Sequence, residues 1–184
     1  MQLKKIFCIL ITTISFSVTT EGQMTSPPFL KYLNHPWVDS VMNSLSPEER
    51  IAQLIWVAAF SNRDLGHEVY LSDLIRKTGI GGIIFFQDKA IRQAEMINYF
   101  RTISKVPLMV VTDGEWGIGM RLEGITKFPH QLTLGAICDD SLIYRMGEAV
   151  ADQFRRAGIQ INLAPVADIN NNPENPVINC RSFA

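Results

Sequence analysis

A proline-started apolar run, Leu108-Met-Val-Val111, stops at Thr112-Asp113-Gly-Glu115 and passes into Gly117, Gly119, Arg121 and Gly124. This abrupt change constrains the chain more than any other stretch. A short continuous run of aliphatic and β-branched residues is the pattern of a strand covered on both faces, as in a parallel sheet. In βα architectures the loops after the carboxyl ends of such strands bind ligands. Asp113, Glu115 and Arg121 therefore stand where a ligand is expected.

The same unit recurs along the chain. Ser46-Pro-Glu-Glu49 starts a helix, with serine at the N-cap, proline at the first helical position and glutamate placed for a capping box. Ile51, Leu54, Ile55 and Ala58 follow at helical spacing, yet Leu54 to Phe60 fits a first buried strand equally well. Leu71, Leu74 and Ile75 share one face of a helix over Leu71–Thr78 that Gly79 can end with a left-handed cap. A strand over Gly81–Phe86 comes next, and then a helix over Lys89–Lys105 with Ile91, Ala94, Ile97 and Phe100 inward. Beyond the central strand, Leu108–Thr112, the triplet Asp139-Asp-Ser141 caps a helix with Ile143, Met146, Val150 and Phe154 inward, closed by Gly158. Ile159, Ile161 and Leu163 alternate into Ala164-Pro-Val-Ala-Asp168, expected as a third strand that finishes in a carboxylate. Repeated strand, loop and helix give an α/β fold with parallel strands and right-handed crossovers. Only three or four βα units are present, whereas a closed barrel needs eight units and about 250 residues. The expectation is thus a truncated barrel, with a complete small open sheet as the other reading.

With 184 residues, 47% of them hydrophobic, the chain can bury a core, and a net charge of -1 gives no footprint for a nucleic-acid backbone. Lys4 and Lys5 precede the 13-residue apolar run Ile6–Val18, which is short of the roughly 20 residues that span a bilayer. Residues 1–22 therefore read as a secretory signal, with export and no stable membrane span, and 23–44 as an arm, extended over the proline-rich Thr25–Pro36. Cys8 would leave with that signal, while Cys138 and Cys180 either bridge or remain unpaired small residues. The cysteines show no metal-ligand spacing, and His35, His67 and His130 read as separate surface or loop residues.

Asp113 and Glu115 lie two apart, so in extended geometry they project to one side. That spacing suits a carboxylate pair at a glycosidic bond, where the two groups stand about 5 to 9 Å apart. It equally suits binding of sugar hydroxyls, a metal, or a simple turn cap. The glycines lack the third position of a dinucleotide fingerprint and the lysine of a phosphate-binding loop. Arg121 and Arg181 are fork-shaped donors matched to carboxylate, phosphate or neighbouring hydroxyls, and either is also an ordinary surface charge.

Several segments, in order, resemble the family-three glycoside hydrolases, and within them the β-N-acetylglucosaminidase branch. They are Leu45-Ser-Pro-Glu-Glu-Arg-Ile-Ala-Gln-Leu54, Gly79-Ile-Gly-Gly-Ile-Ile-Phe-Phe86, Asp113-Gly-Glu-Trp-Gly-Ile-Gly-Met-Arg-Leu122, Phe128-Pro-His-Gln-Leu-Thr-Leu-Gly-Ala136, Leu163-Ala-Pro-Val-Ala-Asp168 and Arg181-Ser-Phe183. The resemblance runs from about residue 40 to the last residue. It implies a (β/α)₈ TIM-type barrel, of which residues 45–184 would be the N-terminal part. It also implies retaining hydrolysis through a covalent glycosyl-enzyme, an amino-sugar glycan as substrate, and no cofactor. On the same grounds Asp113, Arg121 and Arg181 would hold the sugar, Glu115 would brace the loop and Asp168 would support a strand end. The catalytic lysine-histidine segment, acid/base and nucleophile of that branch all come later than the motif matched by Arg181, so none of them is expected in this chain. Trp116 and His130 depart from the residues common at those places, which loosens the expected sugar preference.

Overall fold

The computed structural model describes residues 26–184, so the expected signal, residues 1–22, lies outside the described residues. Two compact units divide between Asp39 and Ser40. In the first, Pro28–Tyr32 forms a 3₁₀ turn in which the Leu30 and Leu33 amides donate to the carbonyls of Pro27 and Leu30. The extended arm expected there is thus tightened into a turn, because a proline at the first helical position needs no amide partner and presets φ.

Helix α1, Pro36–Ser44, leads to helix α2, Pro47–Ala52, whose start is the expected capping box. Ser46 Oγ accepts from the Glu49 amide at 3.2 Å, and Glu49 Oε2 accepts from the Ser46 amide at 2.8 Å. The open choice at Leu54–Phe60 resolves to a strand: the helix ends at Ala52, leaving Ile51, Leu54 and Ile55 exposed, and strand β1 runs Trp56–Ala59 with only Ala59 buried. Asp64 then caps helix α3, Leu65–Asp73, by accepting from the His67 amide, and a π turn over Leu74–Thr78 ends at left-handed Gly79. Strand β2, Gly82–Phe85, follows, then the short β3, Asp88–Lys89, and helix α4, Ala90–Ile103. Strand β4, Met109–Thr112, passes through a 3₁₀ turn to the short β5, Leu122–Glu123. Helices α5, Gln131–Gly135, and α6, Asp140–Arg156, precede strand β6, Ile161–Asn162, and a last 3₁₀ turn, Asn179–Arg181.

The main sheet has the order β1-β2-β4-β6, every pair parallel, with Ala59 beside Phe85, Ile84 beside Val111 and Thr112 beside Asn162. A separate parallel pair joins β3 to β5 and carries the chain across the carboxyl edge. One face of the sheet is the core. Ala59, Ile83, Phe85 and Val110 pack there with Leu71 and Ile75 of the α3 segment, Met96, Ile97 and Phe100 of α4, and Phe154 of α6.

Three expectations need correction. Burial of the central strand on both faces holds for Val110 and Val111, but Met109 is 37% exposed, because it lies at the amino end of the sheet in register with Gly82 and the exposed Trp56. On α4, Ile91 is 77% exposed and Ala94 is exposed, while Gln93 and Met96 are buried with Ile97 and Phe100. That stripe keeps helical spacing but begins with a polar residue. The third strand stops at Asn162, so Ala164 to Asp168 leaves the sheet and Asp168 is exposed rather than set at a strand end. Pro165 offers no amide hydrogen for a further ladder bond.

Candidate functional site

The carboxyl edge of the sheet is built by its own side chains. Thr112 Oγ1, buried at the end of β4, donates to the Phe85 carbonyl at 2.7 Å and ties β4 to β2. Asn162, at the end of β6, closes a two-way clamp on the next loop: its Oδ1 accepts from the Gly114 amide at 2.9 Å and its Nδ2 donates to the Gly114 carbonyl at 3.3 Å. The chain therefore turns immediately after Asp113. The period-two geometry that would set Asp113 and Glu115 side by side ends with the strand.

Each carboxylate instead takes its own arginine. Arg121 Nε donates to Asp113 Oδ1 at 2.8 Å, its Nη2 pairs with Asp113 Oδ2, and Nε also reaches the Asp113 carbonyl at 3.2 Å. This is the forked geometry that guanidinium offers a carboxylate. The Arg121 guanidinium also lies over the Phe86 ring, 5.1 Å from its centroid. Phe86 stacks on Phe60 at 5.2 Å, and Arg63 lies 3.9 Å over Phe60. The residues that follow β1, β2 and β4 are thereby joined along the rim.

Glu115 is the deepest charge of the site. Its carboxylate is 2% exposed and receives Arg181 through Nε at 3.1 and 3.0 Å and through Nη2 at 2.7 Å. Arg181 Nη1 donates to the Val177 carbonyl, and buried Gln131 donates from Nε2 to the Glu115 carbonyl at 2.7 Å. These contacts hold the expected bracing role of Glu115 in place. The Arg181 guanidinium is held charged above its usual range by the Glu115 hydrogen bonds, against partial desolvation, with Glu115, Asp113 and Asp168 adding favourable fields. Asp113, Arg121 and Arg181 thus share one electrostatic neighbourhood at one edge of the sheet. What they form is two internally neutral pairs rather than two free carboxylates poised for acid/base work.

Each histidine has its own contact. His67, in α3, accepts the Phe60 amide at Nε2, and burial, then Arg63, lowers its pKa despite Asp64. His35 accepts from the Trp37 amide, and His130 stacks on Trp116. Cys138 and Cys180 are both free thiols. No group of three or more His, Cys, Asp or Glu among the described residues could hold a metal ion, and no described helix is long and apolar enough to cross a membrane. Asn162, Gln131 and the Phe60–Phe86 stack escaped the sequence reading. Places at or just after strand ends could have flagged Asn162, Phe60 and Phe86, whereas Gln131 begins helix α5 and carries no such signal.

The parallel βα sheet, with Asp113, Glu115 and Arg121 in the loop beyond the carboxyl end of β4, is part of a TIM-barrel-type fold. The glycosyl hydrolase family 3 N terminal domain matches residues 46–184, and the chain belongs to that family. It is 33% identical over 127 residues to beta-hexosaminidase A of Pseudoalteromonas piscicida, an alignment spanning 62% of this chain and 21% of that protein. It is 24% identical over 147 residues to beta-N-acetylglucosaminidase/beta-glucosidase of Cellulomonas fimi, covering 80% of this chain and 25% of the other. The fold also matches the structure of beta-glucoside phosphorylase BglX bound to 2FGlc, with TM-score 0.71 and 27% identity over 80% of this chain and 26% of that one. The chain therefore spans about a fifth to a quarter of the length of these two curated relatives.

Proposed function

We propose that this chain supplies the N-terminal part of an exported glycosidase that removes β-linked N-acetylhexosamine from amino-sugar glycans with retention of configuration. Family membership supports a carbohydrate-directed hydrolase, and the beta-hexosaminidase relative supports the amino sugar. The observation that carries the site assignment is the Asp113–Arg121 pair at the carboxyl edge, with Arg181 clasping Glu115 beside it. Asp113 and Arg121 retain free lone pairs and N–H groups for sugar hydroxyls. Arg181, whose side chain is 34% exposed, joins them in holding the sugar and, through Glu115, sets the loop that carries Asp113. Neither Asp113 nor Glu115 is assigned as nucleophile or general acid, since each already neutralises a guanidinium.

The experiment is a paired assay of the intact protein with aryl β-N-acetylglucosaminide and aryl β-glucoside, which differ only at the 2-position, with proton NMR of the first-formed anomer. The proposal expects the acetamido substrate to be cleaved faster and the β-anomer to appear first. Equal or reversed rates would favour a β-glucosidase-type exo-hydrolase, the reading suggested by the second activity in the name of the Cellulomonas fimi relative. Monosaccharide binding without turnover would mark a sugar-binding scaffold. The export proposal, with cleavage near residue 22, is read from the N-terminus of the protein recovered outside the cytoplasm.

A further inference from the structure

We propose that Cys180 and His130 form a nucleophilic thiol–imidazole pair, a covalent modification site for small electrophiles beside the Glu115–Arg181 contact. Cys180 Sγ lies 3.0 Å from His130 Nδ1 on an exposed part of the molecule. The two residues are 50 positions apart, so the fold and not local sequence brings them together. A nucleophile within hydrogen-bond reach of a base that a third group orients is the arrangement that activates thiols. Trp116 is that third group. Its ring stacks on the imidazole with centroids 4.3 Å apart and planes 11° from parallel. The backbone beneath is equally fixed, because helix α5, which starts immediately after His130, packs so close to the chain after Cys180 that a Cβ on Gly135 would fall 1.9 Å from the Phe183 carbonyl oxygen.

The reaction balances without an outside redox partner. With an alkyl halide the thiol proton passes to His130 Nδ1, the sulfur electron pair forms an S–C bond, and the C–halogen bond breaks with its electrons leaving as halide. The imidazolium then releases its proton to water. Cys138, exposed and free, is an internal control in the same molecule.

The test is timed labelling of the native full chain with iodoacetamide, each cysteine being quantified by peptide mass spectrometry. Cys180 is expected to react at least about ten times faster than Cys138 in the wild type, as base-assisted thiols do. His130→Gln should bring Cys180 down to the Cys138 rate while leaving Cys138 unchanged, and Trp116→Phe should preserve most of the enhancement. Equal labelling of the two thiols in the wild type would overturn the proposal. Undiminished Cys180 labelling in a folded His130→Gln protein would do the same. Should His130→Gln fail to fold, the wild-type ratio and the Trp116→Phe variant still decide.

Discussion

Glu115 and Arg181 are 66 residues apart and meet through three hydrogen bonds on a carboxylate that solvent scarcely touches. Removing the arginine strands a buried negative charge, which costs much more than the pair itself contributes. Arg181→Ala should therefore lower unfolding free energy by about 3 kcal/mol. Glu115→Gln combined with Arg181→Met should recover most of that loss. Urea titration of the two variants against wild type measures both values, and equal losses in both would refute the charge-stranding account.

Asp113 is held by Arg121 at a partly open edge, so its loss should be felt more by ligand than by fold. Asp113→Asn is expected to weaken monosaccharide binding by the intact protein roughly tenfold, or about 1.4 kcal/mol. Its melting temperature should move by only a few degrees. Titration calorimetry together with a thermal melt separates the two effects, and unchanged affinity would remove Asp113 from the proposed sugar site.

Gly81 connects α2 to the sheet: its amide donates to the carbonyls of Ala52 and Ile55, and an added Cβ would stand 1.8 Å from the Gln53 carbonyl oxygen. Backbone cannot yield there as a flexible side chain would. Gly81→Ala should destabilise by about 3 kcal/mol, the upper end for overpacking. A denaturation midpoint within error of wild type would contradict this close approach.

His67 gives a pH-dependent contribution with a definite sign. Burial, then Arg63, lowers its pKa in the folded chain, so the unfolded chain binds its proton more readily. Its contribution is fully present above the unfolded value of about 6.5. It is lost as pH falls from there through the lower folded value. His67→Asn should flatten the pH dependence of stability in that window, and NMR titration should place the folded imidazole below a reference peptide. A folded pKa above the reference would reverse the sign.

Most elements could be read from local chemistry because their signals are local. Ser46 and Asp139 cap the helices they were expected to cap, and the apolar runs at Gly82–Phe85 and Met109–Thr112 form strands between breaking residues. The α4 face was misread because a buried glutamine begins the stripe Gln93, Met96, Ile97 and Phe100, and polarity masked the period. Alternation over Ile159–Leu163 suggested a long strand, but alternation does not supply the amide that Pro165 lacks. Asp113, Glu115 and Arg121 stood out by type and by position after a strand, and Arg181 only through the family resemblance. Their pairing was hidden, since nothing along the sequence says that Glu115 would take Arg181 while Asp113 takes Arg121.

That second partnership has a consequence for recognition. Asp113 and Arg121 cancel each other's charge while keeping unused acceptor and donor positions. An incoming molecule meets a local dipole there, without the long-range pull of a bare ion. Such a surface suits uncharged, hydroxyl-rich partners, discriminates little by ionic steering, and keeps its grip when concentrated electrolyte would dissolve a contact made of opposite charges.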